Sequence, residues 1–124
     1  MSAESISEAE SAVLAVLWEK GSATAEDVVA AVAKPRDWQE STVKTLLGRL
    51  LKKRAVRAEK VGRRFIYSPT LGREEWLSRE SESLLNRLYG GRVAPLVAHF
   101  SRHRKLSKRD VRELKHLIQE LEDE

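Results

Sequence analysis

Between Arg54 and Val56 the hydrophobic period of the chain changes, and this switch limits the available folds more than any other feature. Up to Arg54 the apolar residues recur every three or four positions, the period of an amphipathic helix. From Val56 they alternate, the period of a strand. Three helical segments thus precede one hairpin within about seventy residues, a length typical of a small domain.

Local signals place the elements. Ser7 opens Ser-Glu-Ala-Glu, with Glu10 three residues on, a capping-box pattern that starts a helix. Ala9, Ala12, Val13, Val16 and Leu17 follow at helical spacing, and Gly21 ends the segment. Thr24 with Asp27 starts a second helix carrying Val28, Val29 and Val32, which Pro35 is expected to stop. The third helix is expected from Ser41 to about Arg54. Val43, Leu46, Leu47, Leu50 and Leu51 form one face, and Thr42, Thr45, Gly48, Arg49, Lys52 and Lys53 the other. Val56 to Lys60 and Arg64 to Tyr67 read as strands around Val61-Gly62-Arg63, a hairpin with glycine at its tip. Pro69 closes it.

The chain after Leu71 reads as helix again. Trp76, Leu77, Leu84, Leu85 and Leu88 make a sparse apolar stripe, and Gly90-Gly91 interrupts it. Val93, Leu96, Val97 and Phe100 follow, with Pro95 tolerable only in a first turn. Ser107 with Asp110 caps a last helix whose stripe is Val111, Leu114, Leu117, Ile118 and Leu121. The sequence therefore predicts two domains, residues 1–70 and 71–124. The fold class is mainly α with a small β-hairpin wing: a winged helix-turn-helix followed by a C-terminal helical dimerisation region. About fifty-five residues in three helices make a thin core. A second copy is the expected partner of Leu84, Leu85, Leu88, Leu96, Val97, Phe100, Leu114, Leu117, Ile118 and Leu121.

Charge points to the partner of the first part. Residues 34–67 carry eleven Lys/Arg against three acids, whereas residues 1–33 carry one lysine against six acids. One basic block of this kind favours an acidic polymer, nucleic acid first. A helix fits the major groove, where base edges are distinguishable. Ser41, Thr42, Lys44 and Thr45, near the start of the third helix, are the expected base-reading residues. Thr24, Arg49, Lys52, Lys53, Arg63 and Arg64 are the expected phosphate contacts, which set affinity and salt dependence rather than sequence. Gly48 inside a helix costs about 1 kcal/mol relative to alanine. Close approach of DNA or tight packing on a neighbouring helix accounts for it, with packing favoured.

Other classes fit poorly. The chain has no cysteine, which excludes disulfides, thiolate metal sites and a cysteine nucleophile. No Gly-rich phosphate loop and no nucleophile beside a base suggests an enzyme. His99 and His103 lie four apart, but zinc sites usually take three or four protein ligands, so neither metal nor cofactor is expected. The first apolar run, Ala12 to Trp18, is short and follows acidic residues, unlike a signal peptide. No run approaches the ~20 residues of a membrane span, and a cytoplasmic location is expected. The alternatives are a winged helix that binds a protein, and a ligand-sensing regulator with a different regulon. The basic third helix and wing argue against the former, and nothing in the sequence demands a ligand.

Four stretches carry a resemblance: Ile6 to Trp18, Ser-Thr-Val-Lys-Thr-Leu-Leu-Gly-Arg-Leu-Leu-Lys-Lys (Ser41 to Lys53), Phe65 to Pro69, and Leu88-Tyr-Gly-Gly91 followed by Leu96-Val97 and Phe100. Over nearly its whole length the chain resembles the penicillinase and methicillin-resistance repressors. The resemblance implies a dimer that binds a short palindromic operator in double-stranded DNA and represses β-lactam-resistance or related genes. It also implies derepression by a membrane sensor protease that cuts within the dimerisation region. The bond cut in the best-known members is Asn-Phe, and the matching position here is His99-Phe100, a departure from that pattern. A copper-responsive branch uses C-terminal cysteine pairs, which this chain lacks.

Overall fold

A computed structural model describes residues 5–124. Helix α1 runs Glu8–Lys20, strand β1 Ala23–Thr24, α2 Ala25–Arg36, α3 Glu40–Lys52, β2 Val56–Val61 and β3 Arg64–Pro69. Helices α4 (Arg73–Leu88), α5 (Val93–Arg102) and α6 (Lys108–Glu122) complete the chain. They form two compact units, one ending at Leu77 and the other spanning Ser78–Glu124.

Three helices begin on capping boxes, as their hydroxyl–acid spacing predicts. Ser7, Thr24 and Ser107 accept from the backbone N–H groups of Glu10, Asp27 and Asp110, whose carboxylates accept in return from the cap N–H. Gly21 ends α1 with φ +83°, a conformation glycine adopts without steric cost. Helix α2 does not stop at Pro35: it runs one residue further, and Asp37 ends it in the left-handed conformation. A proline in the final turn forfeits one intrahelical bond, yet the next residue can still take helical angles.

In the first unit, α1, α2 and α3 pack against one another over Val13, Leu14, Leu17, Val28, Val43, Leu46, Leu47 and Leu50. The hairpin β2–β3 is antiparallel, with Val56 opposite Pro69 and Val61 opposite Arg64. Gly62, at φ +65°, makes its turn. Strand β1 adds a third strand that sequence periodicity does not reveal, pairing Ala23 with Tyr67 and Thr24 with Ile66. The sheet order is β1-β3-β2, which fixes the hairpin's base to the start of α2. Leu71 closes the core, and Trp76 packs on it with its ring 5.6 Å from that of Trp18. The Trp18 indole N–H donates to the Leu71 carbonyl at 2.8 Å.

The second unit contains the rest of α4 with α5 and α6. None of its residues is fully buried. Leu88, Val93, Phe100, Leu117, Ile118 and Leu121 are exposed, while Leu84, Leu85, Leu96, Val97 and Leu114 are half-buried. Gly90 and Gly91 both take positive φ and separate α4 from α5, where Pro95 sits in the first turn. Among the described residues no helix is long and apolar enough to cross a membrane, and no group of three or more metal-ligating side chains gathers.

Candidate nucleic-acid interface

Helix α3 divides cleanly into two faces. Val43, Leu46, Leu47 and Leu50 are buried, and Ser41, Lys44, Thr45, Gly48, Arg49 and Lys52 are exposed, with Thr42 half-buried. Leu51, expected on the apolar face, lies at its edge and is 36% exposed. Ser41, Thr42, Thr45 and Arg49 line one shallow depression on the helix. Lys44 turns toward the hairpin. It lines a cleft of about 270 Å³ with Arg63 and Arg64 of the wing, Phe65 and Tyr67 of β3, and Ala25 and Glu26 at the start of α2. The cleft thus collects three cations beside a helix N-terminus, where backbone N–H groups and the helix dipole favour an anion. Lys44 also meets Glu40 at 3.2 Å, but both side chains are well exposed, and such pairs hold a side chain only weakly.

Two of the expected phosphate contacts have partners within the chain. Thr24 is buried, and its hydroxyl serves the N-cap of α2. The Lys53 ammonium donates to Glu10 Oε1 at 2.6 Å and to the Ser5 carbonyl at 2.8 Å. The polar atoms of both residues serve the fold, a role that helical periodicity alone could not separate from surface exposure.

Glu10 is the residue that sequence reasoning undervalued. It is 1% exposed despite its charge. Burial pushes its carboxyl up, but hydrogen bonds from Lys53 and Ser7 outweigh that and leave it below the ordinary range. A signal was available: Glu10 stands three, four and seven positions before Val13, Leu14 and Leu17, on the buried face of α1. Asp27 is held low by the backbone and hydroxyl hydrogen bonds of Thr24.

Gly48 corrects a second expectation. Outside its own helical turn, a Cβ built there meets no atom of the described residues within 4 Å, so packing against a described neighbour does not require glycine. On the preceding connection, the Arg36 guanidinium lies 5.2 Å from the centre of the Trp38 ring.

The chain is similar to characterised regulators over almost its full length. It is 34% identical to the penicillinase repressor of Bacillus licheniformis over 115 residues, 93% of this chain and 90% of that protein. It is 29% identical to the methicillin resistance regulatory protein MecI of Mammaliicoccus sciuri, over 91% of this chain and 92% of the relative. The solution structure of monomeric Bacillus licheniformis BlaI in complex with the blaP half-operator aligns with a TM-score of 0.53 and 34% identity. That alignment covers 60% of this chain and 90% of the BlaI chain. With an exposed basic helix beside a basic wing, and a match to the penicillinase repressor family over residues 6–120, the chain belongs to that family of DNA-binding transcriptional repressors.

Proposed function

We propose that the chain is a homodimeric repressor that reads a palindromic operator with α3 in the major groove and the wing over the adjacent backbone. The observation that carries this is the face of α3 left free of packing, with Lys44 sharing a cleft with Arg63 and Arg64. In this reading Ser41, Thr42, Lys44 and Thr45 read base edges. Arg49, Lys52, Arg63 and Arg64 bind phosphates, while Thr24 and Lys53 hold the domain together. In this reading the DNA-binding part extends past the boundary at residue 70 expected from the sequence, to the end of the first unit at Leu77, and Ser78–Glu124 form the dimerisation part. The exposed apolar side chains of α5 and α6 support the dimer, because pairing with a second copy would remove them from water. Two tethered winged helices bind far more tightly than one, since the second contact becomes nearly intramolecular.

The relatives' names extend the reading to β-lactam-resistance or related genes. Derepression follows from cutting the dimerisation region by a membrane sensor protease at His99-Phe100. Phe100, on α5, is 41% exposed. Repression takes place in the cytoplasm, where the operator is.

The test is a salt titration of binding to a palindrome from the protein's own promoter region. The expected result is a steep loss of affinity with salt. The double substitution K44A/T45A should abolish the preference for the palindrome. R63A/R64A should weaken binding to all sequences alike. A chain that shows no preference for any palindrome, or whose base preference follows Arg63 and Arg64, would overturn the assignment.

A further inference from the structure

We propose that the buried Glu10 and the half-buried Lys53 form a tie that positions the recognition helix, so that Lys53 acts on operator binding through Glu10 and not through a phosphate. This rests on the DNA-binding reading above and adds a positioning pair to it.

The tie joins the start of α1 to the end of α3. Glu10 Oε1 accepts from the Ser7 backbone N–H at 2.8 Å and from Lys53 Nζ at 2.6 Å. Lys53 is the C-cap of α3, and its ammonium also donates to the Ser5 carbonyl at 2.8 Å. One ammonium therefore clamps the chain entering α1 to the last turn of the recognition helix. The contact spans forty-three positions of sequence, so it fixes tertiary geometry and not local helix content.

Its location gives it leverage. Directly after Lys53 the chain turns from helix to wing: Arg54 takes positive φ, the Ala55 N–H donates to the Leu50 carbonyl, and β2 begins at Val56. The base of the wing returns to the same point, where the Thr70 hydroxyl donates to the Arg54 carbonyl at 2.6 Å and the Thr70 and Leu71 N–H groups donate to the Ala55 carbonyl. Position 53 thus holds the junction from which α3 and the wing both extend.

Electrostatics makes the arrangement informative. A carboxylate inside a basic DNA-binding domain opposes the phosphates, and burying it costs free energy. Among the described residues its Oε2 has no hydrogen-bond partner, and Lys53 meets the Glu10 charge through Oε1. Ionic pairs of this kind can trade stability for a single well-defined geometry, which here is the angle at which α3 meets DNA.

The test compares E10Q, K53M, K53R and K52A with the parent chain in operator-binding titrations over a range of salt. All are measured well below each variant's melting midpoint. E10Q removes a negative charge, so a purely electrostatic effect would tighten binding. A positioning role predicts that E10Q and K53M both weaken operator binding by about fivefold or more, the size of an ordinary coupling between sites. K53R, which keeps a cation, should bind more tightly than K53M. The dependence of log affinity on log salt should keep the parent slope in E10Q and K53M. In K52A it should drop by about 0.9, one phosphate contact. Parent-like or tighter binding by E10Q, or a slope loss of about 0.9 in K53M, would overturn the proposal. If K53M does not fold, E10Q, nearly the same shape as the parent side chain, decides the matter alone. A parent chain with no salt-dependent operator binding would fail the functional reading itself, an outcome visible before any variant is compared.

Discussion

The outer row of α6 offers the sharpest measurement of the proposed dimer. Leu117, Ile118 and Leu121 are 53%, 54% and 67% exposed in the single chain. Fully burying a leucine or isoleucine is worth about 1.5–3 kcal/mol, so covering what remains exposed on each contributes about 1–1.5 kcal/mol. A two-fold interface uses the same surface on both chains, so every substitution counts twice. Replacing Leu117 and Leu121 by lysine should therefore cost the dimer about 4–6 kcal/mol. That corresponds to a dissociation constant raised by about a thousand- to twenty-thousandfold. Lysine is a good helix former and suits the C-terminal end of a helix, so the helix itself should survive. Sedimentation equilibrium should show the parent as a dimer at micromolar concentration and L117K/L121K as a monomer, with unchanged far-ultraviolet circular dichroism. The monomer should still bind a half-site weakly and lose the gain from a full palindrome. A variant that stays dimeric at the same concentration would refute the reasoning, and so would one that becomes monomeric yet binds the full operator as tightly as the parent.

Two further outcomes test the first unit. Leu50 is completely buried beneath the exposed face of α3, and L50A should lower stability to urea by about 2–5 kcal/mol through lost burial and a residual cavity. The Glu10 carboxyl lies below its ordinary 4.5 in the folded chain, so its contribution is present above that value and is lost as pH falls through the lowered one. Acid unfolding followed by circular dichroism should therefore show stability declining below about pH 5, and the decline should be shallower in E10Q.

What could be read from sequence was what is decided within a few residues. The three hydroxyl–acid pairs marked their helix starts because a capping box closes over three positions. Gly62 marked the wing tip because its conformation is a property of the turn itself. Strand β1 escaped notice because two residues carry no period, and Ala23 and Thr24 become a strand only by meeting Tyr67 and Ile66. Lys53 looked like another exposed cation on the polar side of α3. Its partner lies on α1, and only the folded chain brings the two together. Gly48 differs for the opposite reason: helix geometry gives two accounts of it, and the open space where a Cβ would stand sets packing against a described neighbour aside.

The separation of faces on α3 bears on how such regulators diversify. Val43, Leu46, Leu47 and Leu50 are buried in the core, and Ser41, Lys44, Thr45 and Arg49 are exposed. Mutations at the second set can accumulate with little threat to the fold, since surface changes away from special features usually shift stability by under about 0.5 kcal/mol. A duplicated gene could thus drift to a new operator through a series of intermediates that all remain folded, and one scaffold could come to serve many promoters.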